Sequence, residues 1–310
     1  MGPRIVADVG GTNVRFAITS DQADGLVDLR CYRTVDFPCF LAALEGFVDE
    51  TGSQRHFGGI AVGAAGPVDD GIADVTNGTW RISEAEISAA LKGCPARVVN
   101  DVEAVAFALP LLQSDDRFPI GLIKVPSAKP RTLLVINVGT GFGAAALVPS
   151  NAGWVSVPGE AGHMNLRTHD KKNGLVVDTS VESVLSGTGV ATLMARFGPN
   201  DGSHSIEYPP KSGAGGSERA IAQPDQNLEA HDFEDLLGEV AGNLALATGA
   251  WGGVFFCGGV IDAWKKNVDQ MRFRTRFESK GSMTARMQQV FTGVITKPNV
   301  ALLGLAQLSM

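Results

Sequence analysis

The sequence predicts an α/β protein of two domains, on three observations. Short runs rich in Val and Ile alternate with helix-period stretches through the N-terminal third of the chain. At 310 residues the chain exceeds the ~150 typical of one domain. A strand–turn–strand unit at Val9-Gly10-Gly11-Thr12 is echoed at Val138-Gly139-Thr140-Gly141, as two related domains would require.

The elements follow in order. Arg4–Ala7 reads as a buried strand, Gly10–Asn13 as a sharp turn, and Val14–Ile18 as the returning strand. Arg30–Val35 reads as a further strand and Cys39–Thr51 as a helix ending at Gly52. Gly59–Gly63 is a short apolar strand running into the turn cluster Ala64-Ala-Gly-Pro67, and Asp74–Trp80 is a polar loop. Ser83 and Glu86 have capping-box spacing before a short helix. Arg97–Asn100 is a strand that meets Asp101, and Val102–Leu112 is a strongly apolar helix. In the second arc, Thr132–Asn137 and Phe142–Val148 are strands around the Val138–Gly141 turn. A helix begins at Val181 and breaks at glycines. Ser203–Gln226, rich in Gly, Ser, Pro and charge, reads as a long surface loop. A helix over His231–Thr248, a strand at Val254–Cys257 running into Gly258-Gly259, a strand near Gly293–Thr296 and a helix from Asn299 complete the chain.

Composition excludes several classes. With 44% hydrophobic and 19% charged residues this is an ordinary globular composition. A net charge of −7, with only the isolated pairs Lys171-Lys172 and Lys265-Lys266, argues against a nucleic-acid surface. No apolar segment approaches the ~18 uninterrupted residues of a spanning helix, so no membrane partner is expected. The first strand opens at Arg4, which leaves no room for a secretory signal. Cys31, Cys39, Cys94 and Cys257 are scattered without a CxxC pair, so reduced, buried thiols in a cytoplasmic protein are expected.

The Asp8–Arg15 segment suits a loop that wraps an oligophosphate. Glycines let backbone N–H groups approach phosphate, Thr12 and Asn13 offer side-chain hydrogen bonds, and Asp8 can orient hydrated Mg²⁺. On turn chemistry alone it is equally a plain β-hairpin. Gly139-x-Gly141-x-x-Ala144 imitates a dinucleotide fingerprint, with Glu160 about 20 residues on. That fingerprint needs a helix after the glycines, and Phe142–Val148 reads as a strand, so a Rossmann site is not expected. No GxxxxGK[ST], HRD or DFG motif occurs.

Asp101, where a strand meets a helix, could act as a general base or be only a helix N-cap, which on local grounds is the simpler reading. Glu160 and His163, between small residues, could hydrogen-bond a polyol or stand in an exposed loop. On local grounds Glu182 reads as a solvated helix residue, and Gly258-Gly259 as a plain strand–loop junction in preference to a turn that lets a base or ribose approach backbone.

Taken in order, Asp8-Val-Gly-Gly-Thr-Asn13, Thr76-Asn-Gly-Thr-Trp80, Asn100-Asp101, Gly139-Thr-Gly-Phe-Gly143, Pro158-Gly-Glu-Ala-Gly-His163, Glu182-Ser-Val-Leu-Ser-Gly187 and Gly258-Gly259 resemble the bacterial glucokinase family of the hexokinase/actin-like ATPase superfamily. The resemblance runs from about residue 5 to residue 305. It is to the branch without zinc, because no cysteine follows Gly162-His163 before Asp170. Gly63-Ala-Ala-Gly-Pro67 departs from a more Cys-Pro-like turn in some relatives, and Ser203–Gln226 shows little resemblance.

The resemblance implies a two-domain actin-like ATPase fold, ribonuclease H-like, with an interdomain cleft. Residues 1–111 with 298–310 would form the small domain and 112–297 the large one. It implies ATP-dependent phosphorylation of glucose at its 6-hydroxyl, with Asp101 as the base. Asn100, Asp101, Glu160, His163 and Glu182 would bind the sugar. Gly10, Gly11, Thr12, Asn13, Thr140, Gly141, Gly258 and Gly259 would hold the nucleotide, and Asp8 would hold Mg²⁺ through water. A homodimer is the family expectation. The nearest alternative is a kinase for mannose or an N-acetylated hexose. A sugar-sensing regulator on the same scaffold would need a DNA-binding module ahead of the first strand.

Overall fold

The fold is described from a computed structural model, for residues 2–20, 25–51, 57–123, 129–169, 176–189 and 232–310. Ser203–Gln226 and His231 lie outside the described residues, as does Gly52.

Sixteen strands occur among the described residues. The first group is β1 (Ile5–Val9), β2 (Asn13–Thr19), β3 (Leu26–Arg33), β4 (Ile60–Ala64), β5 (Val68–Asp69), β6 (Ile72–Asp74), β7 (Arg81–Ser83) and β8 (Ala96–Asn100). One sheet has the order β3-β2-β1-β4-β8, in which β1, β2 and β3 form an antiparallel meander and β1, β4 and β8 run parallel. Burial on both faces explains why β1 and β4 read as continuous apolar runs rather than alternating ones. Helix Phe40–Thr51 buries Phe40, Ala43, Leu44 and Phe47, the spacing of one helical face. Phe16 stacks on Phe47 with ring centroids 5.0 Å apart, and Phe40 meets Trp80 edge-on at 6.3 Å. Residues read as one polar loop instead end β6 and connect it to β7 in a small antiparallel sheet, β5-β6-β7. Ser83 caps helix Glu84–Ala90, accepting from the Glu86 N–H at 3.5 Å.

The second group is β9 (Arg117–Pro119), β10 (Leu133–Val138), β11 (Phe142–Ser150), β12 (Gly153–Gly159), β13 (Asn165–His169), β14 (Val176–Ser180), β15 (Gly253–Cys257) and β16 (Thr292–Ile295). A six-stranded sheet has the order β12-β11-β10-β15-β16-β9, with β10, β15 and β16 parallel. The strand after Gly141 is β11, as its length before Pro149 predicts, so no crossover helix follows those glycines. Helix Asp232–Thr248 packs on helix Gln270–Glu278, which the sequence reading had missed.

By internal contacts the chain divides into two units. The first comprises Met1–Arg117, Ala145–Pro158 and Thr296–Met310; the second comprises Phe118–Ala144 and Gly159–Ile295.

Three expectations need correction. The strand expected to reach Val35 ends at Arg33, and Thr34–Asp36 forms a 3₁₀ turn. The helix expected to run to Leu112 is α-helical only over Asp101–Ala108 and tightens to 3₁₀ at Leu109–Leu111, because Pro110 lacks the N–H that would continue it. The cysteines form no disulfide, but they are not buried. Cys31 and Cys39 are exposed and Cys94 and Cys257 half-buried, since Cys31 lies on the edge strand β3 and Cys39 ahead of a helix.

Candidate active site

In the first unit three parallel strands end on one row. Val9 lies opposite Ala64, and Ala64 opposite Asn100. The glycine turn after β1, the Ala65–Pro67 turn after β4 and the Asn100-Asp101 junction after β8 therefore leave the same sheet edge. Carboxyl ends of adjacent parallel strands are where α/β sheets gather ligand loops.

At the first of these ends, the Gly10 N–H donates to the Asn13 carbonyl at 2.9 Å and closes the turn. Gly11 lies against the Thr76-Asn77 backbone: a Cβ there would sit 2.7 Å from the Asn77 carbonyl oxygen, so only glycine fits. Thr34 Oγ donates to the Gly11 carbonyl at 2.8 Å, and its N–H to the Thr12 carbonyl at 2.9 Å. Asp8 pairs in register with Arg15 across β1 and β2, with Nη1 3.1 Å from Oδ2. Burial pushes the Asp8 carboxyl above the usual carboxylate range, and Arg15 offsets part of that rise. Among the described residues no three His, Cys, Asp or Glu side chains converge to cage a metal. A hydrated Mg²⁺ shared between one carboxylate and substrate phosphates needs no such cage, and the poorly solvated Asp8 carboxylate fits it.

At the third end, the local reading of Asp101 as N-cap is corrected. Asn100 is the cap: its backbone is extended, and its Oδ1 accepts from the N–H groups of Val102 at 2.9 Å and Glu103 at 3.4 Å. Its Nδ2 donates to the Gly66 carbonyl at 2.9 Å, tying the β8 end to the β4 end. Asp101 is thus the first helical residue, and its Oδ1 accepts from the Val102 N–H at 2.9 Å.

The second unit repeats the pattern. Asn137 lies opposite Cys257, so the Gly139–Gly141 turn after β10 and Gly258-Gly259 after β15 leave neighbouring parallel ends. The Gly139 N–H donates to the Gly141 carbonyl at 2.9 Å, and the Gly139 carbonyl accepts from the Gly187 N–H at 2.7 Å. Glu182, in the short helix Val181–Val184, accepts from the Phe142 N–H at Oε2 at 2.8 Å. A Cβ on Gly162 would lie 3.3 Å from that of Glu182, so the turn carrying Glu160 and His163 packs beside it. Glu160 and His163 form an open pair 4.0 Å apart, both about two-thirds exposed. Gly258 has φ +105, and a Cβ there would be 2.4 Å from Asn137 Oδ1. Gly259 then opens helix Gly259–Trp264.

The sequence-selected residues thus fall into two sets. Asp8, Gly10–Asn13, Asn100 and Asp101 share one sheet edge of the first unit. Thr140, Gly141, Glu160, His163, Glu182, Gly258 and Gly259 share the strand ends and adjoining turns of the second. The sequence reading missed Thr34, which it had placed in a strand, and the packing of the Thr76–Trp80 loop on Gly11. Long-range hydrogen bonding reveals the first and backbone packing the second.

The glucokinase family model matches residues 5–310. The glucokinase of Citrobacter koseri is 31% identical over 97% of this chain and 94% of its own length. Among solved structures, a glucokinase from an Antarctic psychrotroph superposes with a TM-score of 0.77 at 27% identity, covering 99% of this chain and 98% of that one. A ROK family glucokinase from Streptomyces griseus, in complex with glucose and AMPPNP, shares the fold with a TM-score of 0.60 at 18% identity, over 99% of both chains.

Proposed function

The chain belongs to the glucokinase family, and on that premise we propose how its strand-end residues carry out ATP-dependent phosphorylation of D-glucose at the 6-hydroxyl. The observation that carries the reading is the Val9–Ala64–Asn100 row, which brings the acidic glycine turn and Asp101 to one sheet edge. A phosphate loop and a base for a hydroxyl are the two things a sugar kinase must hold in fixed geometry.

In the first unit, Gly11, Thr12 and Asn13 donate hydrogen bonds to the phosphates while the Gly10 N–H closes the turn on the Asn13 carbonyl, and Asp8 would orient hydrated Mg²⁺. The cation neutralises charge on the phosphate oxygens when bound. Asp101 accepts the 6-hydroxyl proton as the sugar oxygen bonds to the γ-phosphorus and the bond to the β-phosphate oxygen breaks, releasing ADP. Asn100, already fixed by its cap and by Gly66, keeps a second Nδ2 hydrogen for a sugar hydroxyl.

In the second unit, Thr140, Gly141, Gly258 and Gly259 take the nucleotide. Glu160 and His163 present an acceptor and an imidazole to the remaining hydroxyls, and Glu182 offers them Oε1, its Oε2 being committed to Phe142. No covalent nucleophile is needed, since phosphoryl transfer rests on positioning and charge neutralisation. AMPPNP and glucose in the Streptomyces griseus relative support the choice of ATP and sugar.

Among the described residues no helix is long and apolar enough to cross a membrane. The use of ATP supports a cytoplasmic site of action, and a homodimer is the proposed assembly. The function is tested by ADP release with glucose, mannose, fructose and N-acetylglucosamine. Turnover several-fold better on glucose supports the reading, and preference for another sugar replaces it.

A further inference from the structure

We infer that Thr34 is a positioning residue for the nucleotide, setting the direction of the peptide groups in the first glycine turn. Two consecutive carbonyls of that turn, Gly11 and Thr12, are both held by this one residue: Gly11 by the hydroxyl at 2.8 Å and Thr12 by the backbone N–H at 2.9 Å. In a planar trans peptide the carbonyl and the following N–H point in opposite directions. Fixing these two carbonyls on Thr34 therefore turns the N–H groups of Thr12 and Asn13 to the opposite side, where they serve an oligophosphate. With the carbonyls loose, either peptide could flip and present a partial negative charge to the phosphates. Gly11 is pinned from another direction by the Asn77 carbonyl, so the turn has little room to find another arrangement.

The second unit shows the same device independently. There the Gly139 carbonyl is held by the Gly187 N–H at 2.7 Å, which turns the Thr140 N–H the opposite way. In that turn a backbone group does the work. In the first, half of it falls to a side-chain hydroxyl, which a substitution can remove. The 3₁₀ turn Thr34–Asp36 places Thr34 beside the glycine turn instead of continuing β3, which gives the break in that strand a purpose.

The inference rests on the proposed phosphate role of the Gly10–Asn13 turn, and the test separates the two. Equilibrium binding of MgATP and of glucose is measured by calorimetry for the wild type, Thr34→Val, Thr34→Ser and Gly11→Ala. Thr34→Val keeps size and backbone but loses the hydroxyl. It should weaken MgATP binding about three- to tenfold, the loss expected for one neutral hydrogen bond, with glucose affinity unchanged. Thr34→Ser should restore binding to within about twofold.

If Gly11→Ala weakens MgATP with glucose affinity kept, while Thr34→Val weakens neither, the turn binds phosphate and the inference about Thr34 is wrong. If neither variant weakens it, the phosphate reading of the turn fails and the inference falls with it. If Thr34→Val weakens glucose and MgATP equally, Thr34 is only structural and the inference is overturned.

Discussion

Replacing Asp101 by Asn removes the carboxylate and little else, so its effect can be worked out from the local geometry. Asp101 is the first helical residue, and its Oδ1 accepts from the Val102 N–H at 2.9 Å, a bond the Asn amide oxygen can keep. The cap belongs to Asn100, whose Oδ1 holds the N–H groups of Val102 and Glu103 and is untouched. The fold should lose the favourable charge at a helix N-terminus, about 0.3–1 kcal/mol. The chemical step should lose its base, which typically costs 10²–10⁴-fold, or about 3–5 kcal/mol of transition-state stabilisation. Coupled ADP-release kinetics would therefore show kcat falling by roughly 10²–10⁴ while glucose binds by calorimetry near wild-type affinity and the melting curve barely moves. A variant with kcat within about threefold of wild type would remove Asp101 as the base, since no general base so placed is worth so little. A fall in kcat accompanied by a large drop in melting temperature would point to the helix start instead.

Three other outcomes are expected. Glu160→Gln should raise KM for glucose far more than KM for ATP, because Glu160 stands exposed with His163 at a 3₁₀ turn and its proposed partners are sugar hydroxyls; equal changes in both constants would remove Glu160 from the sugar site. Arg274→Met should lower unfolding stability by about 3–5 kcal/mol in denaturant titration, since buried Arg274 holds Glu278, the Val290 carbonyl and Thr292, and its loss strips the Glu278 carboxylate and the Val290 carbonyl of that partner while Thr292 keeps its bond to the Ile120 carbonyl; a loss under about 1 kcal/mol would show that they find other partners. For Asp8, burial raises the folded-state pKa, so folding favours the neutral carboxyl. The stability this contributes is complete below the ordinary carboxylate range and is lost as pH rises through the folded value. Asp8→Asn should therefore melt above wild type at neutral pH, the gap closing toward acid, while activity with MgATP is lost. The half-exposed Arg15 it leaves behind costs little. A melting difference that does not vary between about pH 3 and pH 8 would contradict the buried carboxylate.

Much of the fold was legible because its signals are local. Ile5–Val9, Ile60–Ala64 and Leu133–Val138 are apolar runs too short for helices, and glycines end them. Phe142–Ser150 could be read as a strand, and the dinucleotide site rejected, from the distance to Pro149 alone. Helix Gln270–Glu278 was missed because its sequence, QMRFRTRFE, is crowded with charge. Phe273 is buried there by its tertiary contacts with Phe256 and Trp264, and Arg274 by Glu278, the Val290 carbonyl and Thr292. The Asn100-Asp101 pair shows the limit at the site. Both residues are good caps by type, and the choice falls to Asn100 because β8 carries it in extended conformation alongside Gly66.

The sequence by itself determined which residues stand as candidates for phosphate, metal and sugar, and that two glycine turns recur. Residue types and short spacings carry that information. The tertiary structure alone decided which groups act together. Asp8 and Asp101 are 93 positions apart in the chain, and they share a sheet edge only because parallel pairing sets Val9 opposite Ala64 and Ala64 opposite Asn100. The directions of the Thr12, Asn13 and Thr140 N–H groups follow likewise from hydrogen bonds of Thr34 and Gly187 that no short-range pattern encodes.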